Sequence, residues 1–127
     1  MPKLSWESGQ QNDYGPVVEV EQEVDDYSMA IVQFRQDIDA TPLMKGLPGD
    51  SCHCHHWGYV IKGRLTFRTG NGEEVFEAGD AFYLTPGHIP VANEPGTRYV
   101  QFSPKEPLAE VSAQIMRNME AMQAAQA

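Results

Sequence analysis

The chain has little positive charge, few cysteines and no long hydrophobic run. Its 127 residues include 9 Lys and Arg against 18 Asp and Glu, which gives a formal net charge of −9 at pH 7. This acidity repels phosphate groups, so we expect neither nucleic acid nor an anionic membrane as a partner. No hydrophobic run approaches the roughly 20 residues that a membrane-spanning helix needs.

Residues 1–15 are polar and lack the hydrophobic centre of a signal peptide, so we expect a cytoplasmic protein. The two cysteines, Cys52 and Cys54, are separated by one residue, and a disulfide between them would close a very small ring. They are therefore interpreted as reduced thiols, either metal ligands or small buried hydrophobic residues. The chain also lacks a Ser-His-Asp set and a phosphate-binding glycine loop, so no catalytic residue is assigned.

Short hydrophobic segments alternate with glycine and proline through the middle of the chain. Segments with the composition of β-strands are 17–23, 28–34, 58–62, 64–68, 73–77, 81–84 and 98–102. Asn71-Gly72 predicts a hairpin, because both residues of such a turn must tolerate positive φ. Short, evenly spaced strands with turns between them favour an all-β sandwich or barrel.

The hydrophobic period becomes helical after residue 105. Hydrophobic residues recur three or four positions apart from Leu108 to Met122. We expect Ser103 to cap this helix and Pro104 to lie in its first turn. The whole chain, 1–127, is predicted to form one domain, with a barrel over about 17–104 and a C-terminal helix over about 105–122.

Two segments carry a family resemblance: HWGYVIKGRLTF at 56–67 and EAGDAFYLTPGHIPVAN at 77–93. They resemble the two conserved motifs of the cupin superfamily. The resemblance implies a single cupin barrel, also called a double-stranded β-helix or jelly roll, with a metal ion at its centre and a small-molecule ligand in its cavity. It also implies a homodimer, because cupin barrels often pair through edge strands.

The family's motif spacing indicates which residues would hold the metal. Counting back from Gly63 places the carboxylate ligand position on His56, and counting forward from Gly46 places two histidine positions on Cys52 and Cys54. The two counts agree when the spacer between the second and third ligand positions is two residues shorter than in the family motif. A change of two residues leaves each of these positions on the same face of the strand. Cys52, Cys54 and His56 then share one face of a strand.

His53 and His55 would lie on the other face, exposed or at a subunit contact. A β-bulge would reverse this assignment and turn them inward. Three alternate residues extend over roughly 13 Å along a regular strand, so they reach one ion only where the chain bends. The second motif's histidine position falls on Pro90, which cannot bind a metal, and His88 is the predicted fourth ligand because it has the same parity.

Two thiolates and two imidazoles favour one divalent transition metal, zinc first, with iron, nickel, manganese or copper as alternatives. The resemblance implies a metal-binding cupin that binds or converts a small organic molecule, by oxygenase- or isomerase-type chemistry. A non-enzymatic sensing module with a structural Cys/His metal site is the main alternative. A metal-free barrel that only binds a ligand is the third interpretation.

Overall fold

A computed structural model of the chain describes residues 1–126, so Ala127, the last residue of the predicted domain, lies outside the described residues. The described strands are β1 (Gln10–Asp13), β2 (Val17–Val24), β3 (Tyr27–Phe34), β4 (His56–Lys62), β5 (Arg64–Thr69), β6 (Gly72–Glu77), β7 (Ala81–Leu84), β8 (Ile89–Asn93) and β9 (Arg98–Pro104). Two short 3-10 helices, Thr41–Met44 and Pro48–Asp50, precede β4, and the helix α1 (Lys105–Gln126) follows β9.

The strands form two antiparallel sheets. The six-stranded sheet has the order β1-β2-β3-β9-β4-β7, and the three-stranded sheet has the order β6-β5-β8. Alternation along β3 buries every second side chain, from Ser28 to Phe34. Ala30, Val32 and Phe34 join Val60, Leu65 and Phe67 in a core that includes residues of both sheets. The predicted all-β architecture with a C-terminal helix is confirmed.

Two strands carry no strand signal in the sequence. The strand β1 reads QQND and has no hydrophobic alternation, since it is an edge strand that pairs only with β2. The strand β8 contains Pro90, which has no N–H to donate. It is also an edge strand, and a proline is tolerated there because one side of an edge strand needs no ladder hydrogen bonds.

The helix α1 begins differently from the expectation. The strand β9 continues to Pro104, and the buried Ser103 hydroxyl lies 2.6 Å from His56 Nδ1. The predicted Ser103 cap is therefore wrong, because this hydroxyl is used inside the barrel. The Lys105 N–H donates instead to the Asp26 carbonyl at 2.8 Å.

The helix α1 packs against the chain around the two short 3-10 helices. Val111 is buried with Met44 and Ala40. The Asn118 side-chain amide donates to the carbonyls of Leu43 and Lys45 at 2.7 and 2.8 Å. This packing makes the helix one wall of the interior cavity. Within residues 1–126, no helix combines the length and the hydropathy that crossing a membrane requires.

The turn between β4 and β5 depends on a glycine. Gly63 has a φ of +86°, and a Cβ atom there would lie 2.8 Å from the Thr97 Cα atom. Thr97 is fully buried, and its hydroxyl accepts a hydrogen bond from the Arg64 N–H and donates to the Glu94 carbonyl. No side chain therefore fits at position 63 without displacing this buried hydrogen-bond network.

We predict that Gly63→Ala lowers the free energy of unfolding by about 2–4 kcal/mol, because it adds backbone strain to a steric clash. Gly70→Ala is the matched control, since a Cβ atom at that hairpin position meets no atom within 4 Å. The control should change stability by less than about 0.5 kcal/mol. Urea unfolding measures both variants, and equal midpoints for the two would contradict this account.

Candidate metal centre

The chain between residues 51 and 56 is bent rather than extended. Cys52 forms an isolated antiparallel bridge with His88, and regular strand structure begins only at His56. In this bridge, the Cys52 N–H donates to the His88 carbonyl at 2.9 Å. The Cys52 Sγ and His56 Nε2 atoms are consequently 3.7 Å apart, although residues four apart on a regular strand are separated by roughly 13 Å.

Three of the four predicted ligands come together. Cys52, His56 and His88 are buried, and one potential ligand atom from each lies within 4.8 Å of the other two. The imidazole rings of His56 and His88 meet edge to face, with centroids 5.1 Å apart. These three side chains therefore form a compact cluster, referred to below as the Cys-His-His cluster.

Cys54 is buried but lies outside this cluster. Its side chain packs beneath α1 in the hydrophobic group that includes Met44 and Val111, and its Sγ atom lies 3.5 Å from the His55 carbonyl oxygen. Alternate side chains point to the same face only along a regular strand. Because the chain is bent here, Cys54 is separated from Cys52 and His56.

His53 and His55 also lie outside the cluster. His53 is exposed, and its Nε2 atom is 3.2 Å from the Ser51 hydroxyl. His55 packs edge-on against Trp57, which is 44% exposed on the outer face of the six-stranded sheet. Of these three neighbouring histidines, His56 is buried, His55 is half-buried and His53 is exposed.

Hydrogen bonds orient both imidazoles of the cluster. His88 Nδ1 lies 2.7 Å from the Thr85 carbonyl, which only accepts, so the His88 proton is on Nδ1 and the lone pair is on Nε2. His56 Nδ1 lies 2.6 Å from the Ser103 hydroxyl. This arrangement leaves His56 Nε2 directed at Cys52 and suits imidazoles that bind a metal through Nε2.

Burial keeps the cluster uncharged when no metal is bound. It lowers the pKa of His56 to about 3, and the nearby His88 and His55 contribute to this shift. Burial also lowers the pKa of His88, against the opposing effect of the Thr85 hydrogen bond. Burial raises the pKa of the Cys52 thiol to about 11. Two neutral imidazoles thus offer lone pairs at neutral pH.

The Cys-His-His cluster borders a cavity of about 260 Å³. The walls are mainly hydrophobic and include Phe34, Phe67 and Leu84. The polar residues that line the cavity are Tyr14, Glu19, Cys52, His56, His88, Tyr99, Gln101 and Ser112. A hydrophobic cavity with a few convergent polar groups is typical of sites for small organic molecules.

The sequence analysis missed Glu19 and Gln101 as cavity residues. Gln101 was detectable, because alternation along β9 places it on the same face as Tyr99 and Ser103. Glu19 was not detectable, because hydrophobic alternation along β2 predicts that its neighbours Val18 and Val20 point inward and that Glu19 points outward. Both valines are in fact buried on the opposite face, where Val20 lies next to Gly9.

Comparison with known proteins shows the fold. No protein-family model and no curated protein matches the chain. An RmlC-like cupin from Shewanella frigidimarina superposes with a TM-score of 0.58 and 17% identity, over 81% of this chain and 90% of that one. The polyketide cyclase RemF from Streptomyces resistomycificus superposes with a TM-score of 0.57 and 12% identity, over 84% and 80%.

A third similar structure is that of HEPD from Streptomyces albus with its substrate 2-hydroxyethylphosphonate and Fe(II) bound. Its TM-score is 0.53 at 14% identity, over 76% of this chain and 24% of that one. Likenesses at such low identity establish the architecture and leave the activity open. The chain has the cupin fold, as the two sequence motifs predicted, and other proteins with this fold include enzymes and a metal-binding member.

The metal-free protein should lose stability as the pH falls below 6.5. His56 has an ordinary pKa of 6.5 when unfolded and about 3 when folded, so the unfolded state binds more protons between these values. The stabilisation is complete above pH 6.5, and we expect about 2 kcal/mol of it to be lost between pH 7.5 and pH 5.

Urea unfolding in the presence of a chelator measures this loss at the two pH values. His56→Asn should reduce the loss, whereas His53→Asn, at an exposed position, should leave it unchanged. An unchanged loss in His56→Asn would contradict the assignment of the effect to this buried imidazole.

Proposed function

We propose that the protein is a metal-dependent cupin that binds and converts a small organic molecule, with zinc held by Cys52, His56 and His88. The observation that carries this proposal is the position of the three ligand atoms, which lie within 4.8 Å of one another at the wall of the cavity. A buried ligand set at the wall of this cavity gives a bound substrate direct access to the metal.

The cluster fits zinc in chemistry and in spacing. A tetrahedral zinc ion with bonds of about 2.3 Å to sulfur and about 2.05 Å to nitrogen holds these two atoms about 3.6 Å apart. The Cys52 Sγ and His56 Nε2 atoms are 3.7 Å apart. One thiolate with two imidazoles is a borderline-soft set that suits zinc. This pair of atoms therefore already has the spacing that zinc requires.

Three ligands rather than four favour an enzyme over a closed structural site. Structural zinc sites use four protein ligands, whereas catalytic sites use three and keep one position for water or substrate. When bound, the metal would supply Lewis acidity to a substrate oxygen at that position. A thiolate ligand is vulnerable to oxidation, so we favour isomerase-type chemistry over oxygen activation.

The chain's own residues orient the ligands and place a hydrophobic side chain beside them. The Thr85 carbonyl holds the His88 proton on Nδ1, and the Ser103 oxygen accepts the Nδ1 proton of His56 when Nε2 is a ligand. Phe67 packs edge-on against His88 with ring centroids 5.8 Å apart, so a hydrophobic wall adjoins the ligands. This environment strengthens the electrostatic interactions between a substrate and the site.

Substituting the ligands should remove the metal. We predict about one zinc per chain after purification under reducing conditions, and less than about a tenth of that in Cys52→Ser, His56→Asn and His88→Asn. His53→Ala, in the same segment but exposed, should retain the full amount. Elemental analysis measures these contents. Full zinc in the three ligand variants, or its loss in His53→Ala, would reject the site.

Cobalt substitution tests the open position. The visible spectrum of the Co(II) protein should show one thiolate ligand and should shift when a small anion such as azide replaces a bound water. The spectrum of Cys54→Ser should match that of the native protein, because Cys54 lies outside the cluster. A spectrum with two thiolates that does not respond to azide would indicate a closed site.

The Ser103 hydroxyl should tune zinc affinity without being a ligand. We predict that Ser103→Ala weakens zinc binding about 10–100-fold, because His56 loses the partner that orients its ring. Competition with a chromophoric chelator measures the affinity. Ser112→Ala is the control, since Ser112 lines the cavity and makes no described contact with His56. Equal affinities for the two variants would argue against this role.

A further inference from the structure

We infer that Glu19, Tyr99 and Gln101 form a second polar subsite in the cavity, which binds a hydroxyl or ammonium group of the substrate. This inference rests on the proposed function, because the metal would bind the other end of the same molecule. The substrate class it implies is an elongated molecule with an oxygen donor at one end, a hydrophobic body, and a hydrogen-bond donor at the other end.

Two hydrogen bonds fix the Glu19 side chain at the cavity wall. Its Oε1 atom accepts hydrogen bonds from the Asn12 amide and the Tyr14 hydroxyl, both at 3.2 Å. The Glu21 carboxyl also interacts with this side chain, which lines the cavity. The two hydrogen bonds hold the carboxyl group in place at the cavity wall, where a ligand can donate to it.

The environment of Glu19 favours a ligand that donates. Burial raises the pKa of Glu19, the nearby Glu21 carboxylate adds to this rise, and the hydrogen bonds of Asn12 and Tyr14 oppose it. A partly buried carboxylate gains from one more donor. An ammonium or hydroxyl group supplies that donor, whereas a second carboxylate would be repelled.

Tyr99 completes the subsite from a neighbouring strand. Glu19 is paired with Val32, and Val32 is paired with Tyr99, so the three residues lie side by side on the inner face. The Tyr99 ring is stacked on Phe34, with centroids 6.0 Å apart. The Tyr99 side chain lines the cavity.

The strand β9 connects this subsite to the Cys-His-His cluster. Tyr99, Gln101 and Ser103 alternate along β9 and point inward, and Ser103 contacts His56. Tyr99 and Ser103 are four residues apart, which is roughly 13 Å along a strand. Gln101 also lines the cavity and lies between them. This separation is the reason for an elongated substrate with polar groups at both ends.

Matched probe pairs test the subsite. The pairs are 6-hydroxyhexanoate with heptanoate and 8-hydroxyoctanoate with nonanoate, in which a methyl group replaces the hydroxyl. Isothermal titration of the zinc-loaded protein should give at least one pair in which the hydroxy acid binds about tenfold more tightly, since it donates to a buried acceptor. Glu19→Leu and Tyr99→Phe should reduce this preference to less than about twofold, with unchanged zinc content.

Further variants serve as controls. Glu23→Gln should retain the preference, because Glu23 lies on the same strand but is exposed and does not line the cavity. Glu19→Gln retains the side-chain shape, so it tests the subsite even if Glu19→Leu does not fold. It should lose the preference for 6-aminohexanoate over 6-hydroxyhexanoate that we expect the Glu19 carboxylate to give.

The possible outcomes separate the two proposals. Equal affinities within both pairs, or no measurable binding of any probe to protein that contains zinc, would overturn the subsite and leave the metal site standing. Failure of the native protein to bind zinc would overturn the proposed function itself. If Glu19→Leu and Tyr99→Phe still prefer the hydroxy acids, the hydroxyl group of the probe binds elsewhere in the cavity.

Discussion

The backbone bridge between Cys52 and His88 is the interaction on which the site depends. Two hydrogen bonds, from the Cys52 N–H to the His88 carbonyl and from the His88 N–H to the Cys52 carbonyl, join the two motif segments. The bridge places Cys52 beside His88 and bends the chain before β4, which brings His56 within reach of both. Without this bend, an extended strand would hold Cys52 and His56 too far apart to bind one ion.

The second feature of the interior is the inward row of polar residues on β9. Inner faces of such barrels bury mainly hydrophobic side chains, and a buried polar group is costly unless it has a partner. Ser103 has a partner in His56. Tyr99 and Gln101 instead face the cavity. The row links the oriented imidazole at one end of the site to the carboxylate of Glu19 at the other.

The fold and the chemistry are separate conclusions. Structures with less than a fifth of their residues identical superpose on this chain over most of its length. Their shared architecture follows from strand alternation and turn positions, which many sequences satisfy. The function proposed for this protein depends instead on three side chains, Cys52, His56 and His88, and on the cavity that they border.

The sequence by itself determined seven of the nine described strands, the C-terminal helix and the cupin resemblance, and it predicted the inward direction of Cys52 and His56, because hydrophobic period and turn composition are local properties. Only the tertiary structure decided that Cys54 lies outside the cluster, that Ser103 pairs with His56 and that Glu19 faces the cavity. Each of these depends on contacts between distant segments: the bridge to His88, the neighbouring strand β9, and the residues around Gly9 that bury the other face of β2. Residue spacing predicts which way a side chain points from its own strand. Contacts between segments decide which of those side chains meet.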